Sequence, residues 1–229
     1  LFIRLIYEGL GPLSEHWRGM LIILAVLSFA AGNILALVQT NIKRLFGYSA
    51  FNHIGFIFLG FIGAAYTGSD AGMAAASFYA ITYALTVAAT FGIIMLLSRK
   101  GFEADTLDDI KGLNERSGLF AFVLLLLMIS LTGIPGTVGF YAKWVVVQSV
   151  VDAGLIWLAI LAVIAAVVGA FYYLRIVKLA YFEKPAEQSP EIEASAGFKA
   201  VLAANGLAIL ALGIFPGTLI AVSRAAFGL

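Results

Sequence analysis

Long apolar runs decide what this chain can fold into. Residues 19–38, 47–66, 73–97, 155–179 and 200–222 are each almost wholly apolar. A helix rises about 1.5 Å per residue, so roughly 20 such residues cross a hydrocarbon core about 30 Å thick. The runs lack the alternation of apolar and polar residues that a barrel strand needs, so the spans are expected to be helices. With 62% hydrophobic and 12% charged residues among 229, and a mean hydropathy of +1.01, the side chains are too apolar for a water-soluble interior of this size. The fold class expected is an all-α, polytopic transmembrane helix bundle.

One further apolar stretch, 117–151, is interrupted. Gly133, Pro135, Gly136 and Gly139 fall in its middle, and Lys143 follows one turn later. Backbone groups freed by a helix break cost several kcal/mol each in hydrocarbon unless they face protein or a water-filled cavity. A charged lysine at the centre of a bilayer costs about 2.5–3.5 kcal/mol more. A lysine beside such a break is therefore a candidate proton carrier, because burial disfavours its charged form and the carbonyls near 131–133 could hold the amine or water. The alternative is a lysine that snorkels to the interface or pairs with a carboxylate of a neighbouring subunit.

No acidic residue falls inside a complete span, which leaves His53 as the other ionisable side chain set clearly inside one. An imidazole suits proton transfer, but a neutral histidine bonded to the next helix fits equally. Tyr79, Thr82, Tyr83 and Thr86 form a hydroxyl stripe at helical spacing, a possible relay or simply helix-packing groups. Lys43 and Arg44 read first as a charged membrane edge, and Tyr172, Tyr173, Arg175, Lys178 and Tyr181 as an interfacial belt. Cysteine is absent and the histidines are His16 and His53, so thiolate metal sites, iron–sulfur clusters and a haem held between two intramembrane histidines are excluded from this chain. No metal site is expected.

Basic residues set the orientation. Lys43 and Arg44; Arg99, Lys100, Lys111 and Arg116; and Arg175, Lys178, Lys184 and Lys199 fall in alternate connections, whereas the opposite set holds Arg18, Arg224 and Arg4. The first set is expected on the cytoplasmic side. Residues 1–10 read as the end of a truncated helix, 11–18 as a polar connection, and 183–194 as a solvated loop containing Pro185 and Pro190.

Two motifs together resemble a known family. The first is Gln39, Thr40, Asn41, Ile42, Lys43 and Arg44, continuing to Tyr48, Ser49 and His53; the second is Ser130, Leu131, Thr132, Gly133, Ile134 and Pro135, continuing to Gly139, Phe140 and Lys143. In this order and spacing they resemble the antiporter-like membrane subunits of respiratory NADH:quinone oxidoreductase (complex I). Asn41, where related branches usually carry aspartate, makes the chain most similar to the subunit N branch, called subunit 2 in mitochondria. Pro135-Gly136 stands where the family usually has paired prolines, and Gly47-Tyr48-Ser49-Ala50 where Ala-Tyr-Ser-Ser is common. Neither departure removes the lysine or the break.

The resemblance implies two inverted five-helix repeats, each with a broken helix. This chain would hold the second repeat at 19–179 and a terminal span at 200–222. It further implies proton translocation driven by quinone reduction, with Lys143 and His53 as transfer residues and Gln39, Lys43 and Arg44 as a family motif. Flavin, iron–sulfur clusters and quinone would belong to partner subunits of the membrane complex, with no cofactor on this chain and no nucleic-acid partner. A bacterial inner membrane is expected rather than a mitochondrial one. The inner half of the proton path would lie before Leu1. Two rivals stand beside this reading: a subunit of a cation/proton antiporter or membrane-bound hydrogenase, and a structural spacer without its own proton path.

Overall fold

The computed structural model describes residues 5–98, 103–185, 192 and 194–228. Leu1 to Arg4 of the expected stub, Arg99, Lys100 and Pro190 lie outside the described residues. The principal helices are α1 (Ser14–Leu37), α2 (Ile42–Thr67), α3 (Ala71–Leu97), α4 (Gly118–Thr132), α5 (Val138–Asp152), α6 (Ile156–Phe182), α7 (Ala196–Ile214) and α8 (Gly217–Ala225). Among the described residues, five segments are long and apolar enough to cross a membrane: Gly11–Leu37, Ile42–Thr67, Ala71–Leu97, Ile156–Phe182 and Ala196–Ile214. Gly118–Thr132 is a shorter apolar helix.

Three boundaries differ from the sequence reading, one being the span expected from 47, whose helix already begins at Ile42. The connection expected at 11–18 is largely helical: Gly11–Leu13 is a 3-10 turn with its proline near the start, and α1 begins at Ser14, which puts His16 in its first turn. Proline is tolerated there because the first helical N–H groups have no intrahelical partner anyway. The terminal span expected over 200–222 is divided at Phe215 and Pro216 into α7 and α8. Pro216 has no N–H to continue the ladder of α7, so the chain starts a second, short helix.

α1, α2 and α3 pack as neighbours around a core that includes Leu21, Ala25, Phe29, Leu45, Phe56, Leu59 and Phe78. The two short helices α4 and α5 insert between this layer and α6, α4 against α6 and α5 against α2 and α3. Exposed apolar side chains remain on the outside, among them Ile160, Val163, Ile164, Val167 and Phe171 on α6.

The basic connections gather at one end of the bundle. Ile42 donates to the Asp105 carbonyl at 2.7 Å, Leu107 to the Thr40 carbonyl at 2.9 Å, and Gly112 to the Leu179 carbonyl at 3.1 Å. Residues 38–41, 103–112 and the end of α6 are thus stitched together by backbone bonds, which spares polar groups that would otherwise go unpaired beside the membrane.

Candidate functional site

The break occupies residues 133–137, between α4 and α5. Gly133 closes α4 at φ +87, a left-handed conformation that favours glycine, and its N–H bonds back to the carbonyls of Ile129 and Ser130. Pro135 and Gly136 lie exposed in the connecting turn. Gly139, expected in the break, instead sits in the first turn of α5. There it gives its N–H to the Ser130 hydroxyl at 3.2 Å, so α4 caps α5 through a side chain. A Cβ at position 139 would collide with the Ser130 carbonyl oxygen and come within 2.8 Å of its hydroxyl. Glycine is what lets the two half-helices meet.

Lys143 reaches back across this junction. Its amine donates to the carbonyls of Leu131 at 2.9 Å and Thr132 at 2.8 Å, the last turn of α4, and its Nζ lies 5.2 Å from the centre of the Phe56 ring. Carbonyls at a helix C-terminus have no partner within their own helix and carry the negative end of its dipole, so they attract an ammonium without holding a full charge. No carboxylate among the described residues bonds to this lysine. The side chain is half-buried rather than enclosed. A largely apolar cavity of ≈ 330 Å³, lined by Phe56, Gly133, Phe140, Lys143, Trp144 and Val163 among others, opens beside it.

On its other side Lys143 meets a second, much smaller cavity of ≈ 10 Å³, lined by His53, Tyr79, Thr82, Tyr83, Thr86, Ser130, Leu131, Gly139, Ala142 and Lys143. That is about the space one water molecule requires. The site residues expected from the sequence on α2, α3 and α5 therefore share one chamber. His53 is buried and bonded at both ring nitrogens, Nδ1 to the Tyr79 hydroxyl at 2.9 Å and Nε2 to the Tyr173 hydroxyl at 2.8 Å. Its ring stacks on Tyr83 with centroids 4.3 Å apart. A neutral imidazole has one donor and one acceptor nitrogen, so one tyrosine donates to it while the other accepts. Thr82, Thr86 and Thr90 each donate to the carbonyl four residues earlier, at 2.8, 2.9 and 2.9 Å. Their hydrogens are spent on the backbone.

The first motif is elsewhere. Gln39, Lys43 and Arg44 lie at the end of the bundle that carries the basic connections, outside the chamber. Asn41 caps α2 by accepting the Arg44 N–H at 2.9 Å. Lys43 pairs with Asp105 at 2.7 Å and also with Glu103, tying the connection after α3 to the start of α2.

Sequence reasoning misplaced Tyr172 and Tyr173, which are 1% and 0% exposed in the middle of the bundle, whereas Arg175 and Lys178 are exposed as an interfacial belt requires. The signal available was position: both tyrosines fall about three helical turns before the end of α6, too deep for a membrane edge. Ser130 was read only as part of a motif, and Asn33 was passed over as an isolated polar residue in an apolar run.

Residues 1–169 match the family described as NADH:quinone oxidoreductase/Mrp antiporter, TM. The chain belongs to that family. NADH-quinone oxidoreductase subunit N of Alkalilimnicola ehrlichii is 56% identical over 228 residues, covering 100% of this chain and 46% of the relative. The subunit N of Thioalkalivibrio sulfidiphilus is 54% identical over 226 residues, covering 99% and 46%. The chain thus spans about half the length of the curated relatives it matches. Among solved structures, a chain of respiratory complex I from Thermus thermophilus superposes with a TM-score of 0.77 at 30% identity, over 88% of this chain and 44% of that one. A chain of an archaeal membrane-bound sulfane sulfur reductase superposes at 0.80, over 93% and 42%, and at 24% identity this likeness concerns the fold alone. The family and the apolar helices make this an integral membrane protein, and its bacterial relatives place it in the bacterial inner membrane.

Proposed function

We propose that this chain is part of a proton-translocating membrane-arm subunit of an NADH:quinone oxidoreductase, in which Lys143 is a charge carrier and His53 its proton partner. The observation that carries the reading is the one-water chamber shared by the Lys143 amine and the His53–Tyr79 pair. A proton given by the imidazole to Tyr79, as Nε2 takes one from Tyr173, would cross to the Lys143 amine through a water in that chamber. A lysine held only by carbonyls is suited to this, because neutral dipoles stabilise the ammonium less than a carboxylate would.

The chain would constitute the second inverted repeat at 19–179 with a terminal helical segment after it. Redox chemistry would occur in partner subunits carrying flavin, iron–sulfur clusters and quinone, so this chain contributes to the translocase without a redox centre of its own. Protonation changes in a neighbouring membrane subunit would reach Lys143 as like-charge repulsion. The test is Lys143→Ala in the assembled complex, with quinone reduction and proton pumping measured in sealed vesicles. Pumping that persists at the unaltered level in a fully assembled variant rejects the role of Lys143 and leaves the spacer reading.

A further inference from the structure

The end of the bundle away from the basic connections holds a cavity that the proton-transfer reading does not use. It measures ≈ 290 Å³ and lies between the start of α3, the end of α5 and α8. Its wall is of two kinds. Phe78, Trp144 and Ile220 are apolar, whereas Gln148, Asp152, Ser223 and Arg224 are polar or charged. Asp152 closes α5 and Arg224 lies in the last turn of α8, so both charges stand at helix ends, where a membrane meets water. Trp144 is eight residues before Asp152, about 12 Å deeper along the same helix.

The polar half of this wall is left incomplete by the protein itself. Asp152 and Arg224 carry opposite charges and line one cavity, yet no ion pair joins them. Asp152 accepts at Oδ1 from Gln148 Nε2 at 2.7 Å, and its other oxygen stays open. Among the described residues the Arg224 guanidinium has no partner, whereas Arg18, also at this end, lies over the Tyr66 ring at 4.5 Å. Ser223 is 3% exposed and its hydroxyl is buried with no hydrogen-bond partner. A helical hydroxyl ordinarily relieves itself by donating to the carbonyl four residues earlier, as Thr82 and Thr86 do. Ser223 does not.

Charge complementarity selects the occupant. A cation and an anion held apart at the mouth of an apolar slot match a zwitterionic headgroup with a hydrocarbon tail. A free phosphate would be repelled by Asp152 and would leave the apolar wall bare. A primary ammonium has three N–H donors for a carboxylate, which a quaternary ammonium lacks.

We propose that this cavity binds a membrane phospholipid with a primary-amine headgroup, with Arg224 and Ser223 on the phosphate, Asp152 on the ammonium, and Trp144 and Ile220 against the first acyl carbons. Gln148 orients the carboxylate. The lipid bridges α5 and α8 across the cavity. The site stands whether or not Lys143 carries protons.

The test uses the assembled complex in nanodiscs of phosphatidylglycerol with a trace of photoactivatable phosphatidylethanolamine, its reactive group near the headgroup end of an acyl chain. Mass spectrometry should find label on the α5 segment from Trp144 to Asp152 and on α8. Unlabelled phosphatidylethanolamine should displace it, whereas equal amounts of phosphatidylcholine or of inorganic phosphate should not. Arg224→Gln should lower the labelling about tenfold, as expected for one lost charge-assisted contact, and Arg224→Lys should restore most of it. Asp152→Asn should make the two lipids displace the label equally. No label on these segments in the unaltered complex overturns the site, as does equal displacement by phosphatidylcholine, displacement by inorganic phosphate, or full labelling of Arg224→Gln. A density map of the complex in which a neighbouring subunit fills the cavity overturns it too. Should a variant not assemble, displacement in the unaltered complex and the map decide.

Discussion

Lys43 and Lys143 stand at the starts of two different helices and have opposite environments. Lys43 sits in the first turn of α2 and is clasped by Asp105 and Glu103. Lys143 sits in the second turn of α5, held by two backbone carbonyls and bordered by Phe56. A carboxylate partner fixes the ammonium form, because losing the proton would leave an uncompensated negative charge. Carbonyl partners carry no net charge, so the amine can release its proton and remain a hydrogen-bonded group. The comparison teaches that two motif lysines on neighbouring helices can be held in opposite ways: one ties a connection to the bundle through carboxylates, the other meets backbone carbonyls, as the proposed charge carrier requires.

Substitution by arginine gives the sharpest break in that comparison, because a guanidinium does not release its proton in proteins. Lys143→Arg should reduce pumping as severely as Lys143→Ala, roughly tenfold or more, in vesicles containing correctly assembled complex. Lys43→Arg should leave pumping unaltered, since arginine pairs with carboxylates at least as well. A pumping Lys143→Arg variant would show that the site needs only a positive charge.

A smaller effect is expected one step from the lysine. His53→Phe preserves the stack on Tyr83 but removes both ring nitrogens, so pumping should fall several-fold. The Tyr79 and Tyr173 hydroxyls would lose their imidazole partner at a stability cost of about 1–3 kcal/mol each, readable as a lower melting temperature of the purified complex.

Geometry rather than chemistry is at stake at Gly139. An added methyl group forces the half-helices apart at Ser130, and overpacking of this kind costs about 1–3 kcal/mol. Gly139→Ala should therefore lower thermal stability, and pumping should fall with it as the Lys143 amine is drawn off the α4 carbonyls. Least change is expected from Lys43→Ala. Pumping should be retained, while the connection after α3, released from its ion pair, should be cut faster by protease in limited digestion.

Legibility in the sequence varied with how local each feature is. Spans and the break were readable because apolar run length and Gly133, Pro135 and Gly136 act on their own stretch of chain. The carbonyls expected to hold the lysine near 131–133 proved to be those of Leu131 and Thr132, since a helix ending at Gly133 must present them. The division of the terminal span was signalled by Pro216 but outweighed by the apolar character of 200–222. The bonds of Asn33 with Asn52 and Tyr172 were not readable at all. They join three helices and residues up to 139 apart in sequence, and each residue looks ordinary alone.

The sequence by itself therefore determined the class of fold, the position of the break and the identity of its lysine, because hydrophobic length and backbone conformational limits are properties of contiguous residues. Tertiary structure decided which groups meet. It gathered His53, Tyr79, Tyr83 and Lys143 around one small chamber, put Tyr173 rather than lipid headgroups against His53, and placed the tyrosine pair of α6 in the interior instead of at a membrane edge. Partnership across helices depends on rotation and depth in the bundle, which periodicity along one helix does not encode.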